Sequence, residues 1–329
     1  MENSLINKNR KGWIDALRGL AILLVMYGHC AQDFIEFFVF TSPVKMPLFF
    51  AISGYVINCE TSLKDFFVKL FRKVIVPWLV LGLFFPLILI PVKGISYFID
   101  YFLQMLSGEI LWYMPCFIIA QPIHFLFRKY FKGIIWVVTA SVASFIVGLM
   151  LHQYGVFNYA MINTALVVQP FFLLGFLFRE YEQTLIKMSW GVIIGLSLLY
   201  IVLCGLSLKL FPGQTIDVHL NHYYSIPYCL LLIILGCFML FVAARKSNFS
   251  SSFMSFIGQN TLVLYMWHGM MIMILVKLLS TFGWILPDNR WTALIKLIWA
   301  VVACGACALI LNKAIPFAVG KTKNRTMTS

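Results

Sequence analysis

The chain has 329 residues, 61% of them hydrophobic and 11% charged, with a formal net charge of +13. That much apolar surface exceeds what one soluble core can hide, which excludes an ordinary soluble enzyme and leaves an integral membrane protein. The positive charge lies in short runs between apolar segments, a topological signal and not a nucleic-acid-binding face.

The first apolar segment, WIDALRGLAILLVMYGHC at 13–30, follows Lys8, Arg10 and Lys11 in the manner of a secretory signal. Arg18 inside it, the lack of a small-x-small site after it, and further spans along the chain make it a retained helix. Windows of spanning length fall at 13–31, 36–57, 74–92, 110–127, 134–151, 164–179, 190–209, 226–244, 256–278 and 291–312. The sequence therefore predicts an all-α polytopic membrane helix bundle of about ten transmembrane helices. With the N-terminus in the cytoplasm, Lys8 to Lys11, Lys64 to Lys73, Arg128 to Lys132, Arg179 and Lys187, Arg245 and Lys246, and Lys321 to Arg325 all fall on one side. The opposite loops hold Lys93, Lys209 and Arg290 but collect Asp33, Glu36, Asp100, Glu109, Asp217 and Asp288. This alternation places both termini in the cytoplasm. One transmembrane domain is expected over 1–329, with short cytoplasmic tails at 1–12 and 313–329 and no internal repeat.

Charged and titratable residues inside a span are expensive, so they mark function. At about 100° per residue, Arg18 and His29 differ by about 20° around the first helix and lie about 16 Å apart along it, with Asp15 within about 60° of both. One reading is a polar path through the bundle. The alternative is an Asp15–Arg18 pair snorkelling to the interface, with His29 closing the outer end.

In the second span, Ser53 and Gly54 of LFFAISGYVI permit close approach of a backbone or a ligand. Next, Lys69, Arg72 and Lys73 lead into Pro77 and form a basic cluster that is either topological or a site for an anionic nucleotide phosphate. SGEILWYMP brings Glu109, Trp112 and Tyr113 to the outer side of the fourth span, the aromatic pair as substrate contacts or interfacial anchors. FPGQTIDVHLNHYY is the longest outer loop and suits a sugar, a headgroup or an interfacial belt. His268 lies about twelve residues into the ninth span, beyond the midplane toward the outer side. The eight cysteines read as small buried hydrophobes, and CGAC at 304–307 as helix packing and not a redox pair.

An Arg, ten residues and a His, preceded by IDALRG, resembles the signature of the membrane acyltransferase-3 family, which includes bacterial cell-surface polysaccharide O-acetyltransferases. MPLFFAISGYVI is similar to that family's PLFFFLSGF segment, RKVIVPW to its basic run before Pro, LWYMP to its LWFL segment, and IGQNTLVLYMWH to its G-x-x-S-L-x-x-Y-x-x-H. The basic run departs from the usual Arg-x-x-Arg, and Thr261 stands where Ser is usual. The resemblance implies a multi-pass enzyme of the inner (plasma) membrane that moves acetyl from cytoplasmic acetyl-CoA to a hydroxyl of a glycan or glycolipid. It also implies that His29 is the general base and Arg18 its companion.

The residues carry this chemistry on their own terms. A sugar hydroxyl is a poor nucleophile at neutral pH, and a neutral imidazole within reach removes its proton during attack on a thioester. Glu109 is expected to orient that imidazole or to bind sugar hydroxyls, and Arg72 and Lys73 to meet the phosphates of CoA. The pantetheine arm would then rise past Arg18 and Ser53. Membrane lipid is a further partner, and neither a metal nor nucleic acid is expected. The rival readings are a proton-coupled transporter or exporter, built from the same intramembrane Asp, Arg and His, and a non-catalytic subunit of an envelope assembly.

Overall fold

The computed structural model of the chain describes residues 11–31, 34–156, 158–287 and 289–321. The charges expected at Lys8, Arg10, Asp33, Asp288, Lys323 and Arg325, with residues 1–10 and 322–329 of the two tails, lie outside the described residues. The chain forms an all-α bundle of α1 (Gly12–Cys30), α2 (Ile35–Val56), α3 (Leu63–Leu70), α4 (Val76–Ser107), α5 (Tyr113–Tyr130), α6 (Ile134–Gln153), α7 (Ile162–Val167), α8 (Gln169–Leu185), α9 (Trp190–Leu210), α10 (Ile226–Lys246), α11 (Ser252–Gln259), α12 (Thr261–Thr281) and α13 (Arg290–Ala314). Among the described residues eight helices are long and apolar enough to cross a membrane. The segment through α7 and α8, bent by 46°, makes a ninth. Helix α5, the fourth expected span, is not among these; it carries Gln121, His124, Arg128 and Lys129.

Residue chemistry explains where these helices start and bend. Ser62, Ser189, Ser251 and Asn289 cap α3, α9, α11 and α13 by accepting a backbone N–H three residues on, since the first N–H groups of a helix have no partner within it. Pro43 and Pro47 do not interrupt α2, which runs through them for 22 residues. Packing around a membrane helix compensates the backbone groups that proline frees. Helix α4 bends at Gly94, whose φ of 84° is open only to a residue without a side chain. Its second half carries Tyr97 and Tyr101 to the wall of a cavity.

Helices α1 and α2 are the centre of the bundle. In each, 67% of the spanning residues are buried, against 22% in α9 and α13, which turn apolar side chains outward. Helix α1 packs against α2, α10, α11, α12 and α13, and α2 packs along α8. Two reciprocal glycine pairs bring backbones into contact. A Cβ on Gly54 would strike the carbonyl of Phe172, and one on Gly175 the carbonyl of Ala51. Likewise Gly19 faces the carbonyl of Met254 and Gly258 that of Asp15. Small residues at such crossings replace a hydrophobic drive that is missing between helices in lipid. The cysteines are all free, most of them buried, and Cys304 packs fully inside.

The basic segments gather at one end of the bundle. Lys11 reaches Tyr55 and Glu182, and Arg245 pairs with Glu182. Lys321 donates to Asn260 and Asn312, and Gly320 abuts the backbone of Lys73. Both ends of the described chain therefore emerge where the basic loops emerge.

Candidate active site

At the opposite end a cavity of about 840 Å³ opens between α1, α2, α4, α12 and the α9–α10 loop. His29 from the last turn of α1 and His268 from the middle of α12 meet in its wall, their ring centroids 4.9 Å apart. The sequence placed both imidazoles on the outer side, but only the fold shows that they are neighbours.

The two rings differ in what they have already committed. His268 is buried, and its Nδ1 lies 2.8 Å from the carbonyl of Leu264 and 2.9 Å from that of Tyr265. Carbonyl oxygens only accept, so Nδ1 carries the proton and Nε2 keeps a lone pair. His29 is exposed to the cavity and makes no hydrogen bond among the described residues. Its lone pair is available to a substrate proton.

Glu109 and Trp112 line the same cavity. The carboxylate of Glu109 makes no hydrogen bond to His29 among the described residues, so the ring beside His29 is that of His268 and not a carboxylate. Trp112 stacks on His219 of the α9–α10 loop at 5.1 Å and 16° between planes. Burial holds the His219 imidazole below the ordinary histidine range, against the opposing pull of Asp217. The loop is held in place: Asp217 and His222 exchange backbone hydrogen bonds of 3.0 and 2.8 Å, and Asn221 donates to Thr164 at 3.0 Å. Asp217 itself faces the cavity.

The remaining expected site residues lie elsewhere. Asp15 is 2% exposed, accepts from Gln259 at 3.3 Å and sits 3.9 Å from the Arg18 guanidinium. Neither Asp15 nor Arg18 lines the cavity that His29 lines. The continuous polar path expected along α1 is interrupted by aromatic packing, because Tyr113 stands among Phe49, Phe50 and Tyr265. The backbone N–H of Tyr113 donates to the Tyr265 hydroxyl, and Tyr265 reaches the cavity. On its other side Tyr113 lies close to Arg18 and Ser53. Ser53 donates to the carbonyl of Phe49 at 2.9 Å, so its hydroxyl proton is committed within α2. About a third of the Arg18 side chain remains accessible.

At the basic end, a five-residue π-helix, Phe71–Ile75, interrupts the run from α3 to α4 and carries Arg72 and Lys73. Such turns recur at functional positions. Lys69, Arg72 and Lys73 are exposed and make no hydrogen bond or ion pair among the described residues. Their basic neighbours are occupied: Arg128 and Arg179 both donate to the carbonyl of Ile57, at 3.1 and 2.9 Å, and Lys129 to that of Thr61 at 2.9 Å. Among the described residues no group of His, Cys, Asp and Glu is arranged to hold a metal ion.

Sequence reasoning missed Lys45 and the Tyr55–Glu182–Arg245 cluster; it read the loop that carries Asp217 and His219 as suited to a sugar, a headgroup or an interfacial belt without naming either as a cavity residue. A lysine inside a span was itself the signal for Lys45. The match to known families is to the acyltransferase-3 model, an acyltransferase domain, over residues 11–311. No curated protein and no solved structure matches the chain.

Proposed function

The chain belongs to the acyltransferase-3 family and is a membrane acyltransferase, and from that premise we propose that it moves an acetyl group from acetyl-CoA to a hydroxyl of a cell-surface glycan or glycolipid intermediate. It does so from the inner (plasma) membrane, with its basic end in the cytoplasm. The observation that carries this reading is the His29–His268 pair in a cavity large enough for a sugar ring.

His29 takes the proton of the acceptor hydroxyl as that oxygen attacks the thioester carbonyl. The carbonyl electron pair moves onto oxygen, and its return breaks the C–S bond. The CoA thiolate then takes the proton from the His29 imidazolium. His268, with its Nδ1 proton tied to two carbonyls, presents a fixed acceptor beside His29 and stabilises one ring orientation. General-base help of this kind is worth about 10² to 10⁴ in rate. Trp112, stacked on His219, offers an aromatic face to a sugar, and Glu109 and Asp217 supply acceptors for its hydroxyls.

The donor enters at the basic end. Lys69, Arg72 and Lys73 are uncommitted among the described residues and cluster at the turn that leads into α4, suited to the phosphates of CoA. The pantetheine arm reaches His29 past Arg18, Ser53 and Tyr113, and the Tyr113 ring must give way for it to pass. A transporter reading is not favoured by the family match.

The test uses purified protein in nanodiscs with labelled acetyl-CoA and a panel of free and polyprenyl-linked sugars. Transfer to at least one sugar is expected. The variant His29→Ala should lose it by a hundredfold or more while its melting temperature and acetyl-CoA binding persist. Full turnover by His29→Ala would remove His29 from the role. Label moving across the membrane of proteoliposomes with no ester formed would favour transport.

A further inference from the structure

Lys45 enters α2 between Pro43 and Pro47, well inside a membrane span, and its side chain ends in the cavity that holds His29. A lysine so placed is expensive and is normally paired. Among the described residues this one has neither ion pair nor hydrogen bond; its contact is the ring of Phe38, 4.5 Å from the ammonium. Among the described residues all three N–H donors are unspent.

Glycine at position 28 decides where the ammonium lies. A Cβ built on Gly28 would stand 3.4 Å from Lys45 Nζ and 3.4 Å from the Phe38 ring. The bare backbone of α1 thus lets the ammonium lie across the helix one residue from His29, with Phe38 behind it. The carboxylate of Asp217 shares the cavity without closing a salt bridge to it.

Resting on the acetyl-transfer reading above, we propose that Lys45 is a catalytic residue: its ammonium stabilises the oxyanion that forms on the thioester carbonyl as the acceptor hydroxyl attacks. The geometry suits that task because the negative charge appears on the carbonyl oxygen at the moment His29 becomes positive. A fixed donor aimed at that oxygen, in a site partly screened from water, acts on the transition state more than on the ground state. In the step, the O–H proton passes to His29, the acceptor oxygen bonds to carbon, and the C=O pair becomes the oxyanion facing Lys45. That pair re-forms the carbonyl as the C–S bond breaks, and the thiolate leaves with the proton from His29. Lys45 keeps its own protons throughout.

The experiment measures CoA release and ester formation from acetyl-CoA with a neutral sugar acceptor of the panel above, in nanodiscs. Lys45→Met retains the unbranched stem and removes the charge. It should lower kcat by about 10² to 10³ with KM for acetyl-CoA within about twofold, and Lys45→Arg should recover at least tenfold of the loss. Lys45→Gln serves the same comparison if the Met variant is not monodisperse. Unchanged kcat in a folded charge-free variant overturns the proposal. A loss confined to acceptors bearing a carboxylate or phosphate, and expressed in KM, also overturns it, because Lys45 would then hold an anionic acceptor. If the unsubstituted protein releases no CoA with any acceptor, the acetyl-CoA reading fails and Lys45 falls with it; turnover kept by Lys45→Met removes Lys45 alone.

Discussion

The division of labour between two histidines follows from their hydrogen bonds. His268 has committed its Nδ1 proton to the carbonyls of Leu264 and Tyr265, while His29 is exposed and uncommitted. On the proposed function His268 is a positioning residue, and His268→Ala should lower kcat by about 10- to 100-fold with little change in either KM. The pH profile of kcat should shift with it, because the surroundings of His29 change. An effect confined to the acceptor KM would place His268 on the substrate instead. On the proposed function Trp112 contacts the acceptor, and Trp112→Ala should raise the acceptor KM by about tenfold while leaving acetyl-CoA KM alone. Because burial lowers the His219 pKa, its ring is neutral above that value, and the acceptor KM should be flat from about pH 7 to 8.

At the scale of helices, the site depends on close crossings more than on any single polar contact. Gly54 and Gly175 let α2 and α8 touch backbone to backbone, and Gly19 and Gly258 do the same for α1 and α11. Gly175→Ala would drive a methyl group into the Ala51 carbonyl, so the helices must part or bend. Overpacking of this kind costs about 1 to 3 kcal/mol or more, and a clear fall in melting temperature of the purified protein is the expected result. An unchanged melting temperature would mean that α8 can slide without loss. The SG pair of the second span was read as a place of close approach, and the structure identifies the partner as the backbone around Phe172. The π-helix at Phe71–Ile75 carries no signal in its residues; it joins α3 to α4, and Gly320 lies against the backbone of Lys73 within it.

Across the whole molecule, the proposed reaction assigns the two mouths to two kinds of ligand. The basic end leaves Lys69, Arg72 and Lys73 free after Arg128, Arg179 and Lys129 have tied off the carbonyls that follow α2. The double variant Arg72→Ala, Lys73→Ala should raise the acetyl-CoA KM by about tenfold or more with kcat unchanged. The unsubstituted enzyme should lose acetyl-CoA affinity as salt rises. A fall in kcat alone, with KM intact, would move CoA binding away from this cluster.

The all-α membrane bundle and the boundaries of most spans were legible in the chain itself, because hydrocarbon imposes length and apolarity on each crossing independently of its neighbours. His29, His268, Glu109 and Trp112 stood out for the same reason: polar or interfacial groups are conspicuous against an apolar background. Helical periodicity also put Asp15, Arg18 and His29 on one face, but it carries no information about what fills the space in front of that face. Tyr113 and Tyr265 pack against each other between helices there, and the cavity that His29 lines does not include Arg18. The meeting of His29 with His268, and the placing of Lys45 over Gly28, join residues from separate helices. Only the packing of those helices against one another decides such contacts, since each is set by crossing geometry and not by local spacing.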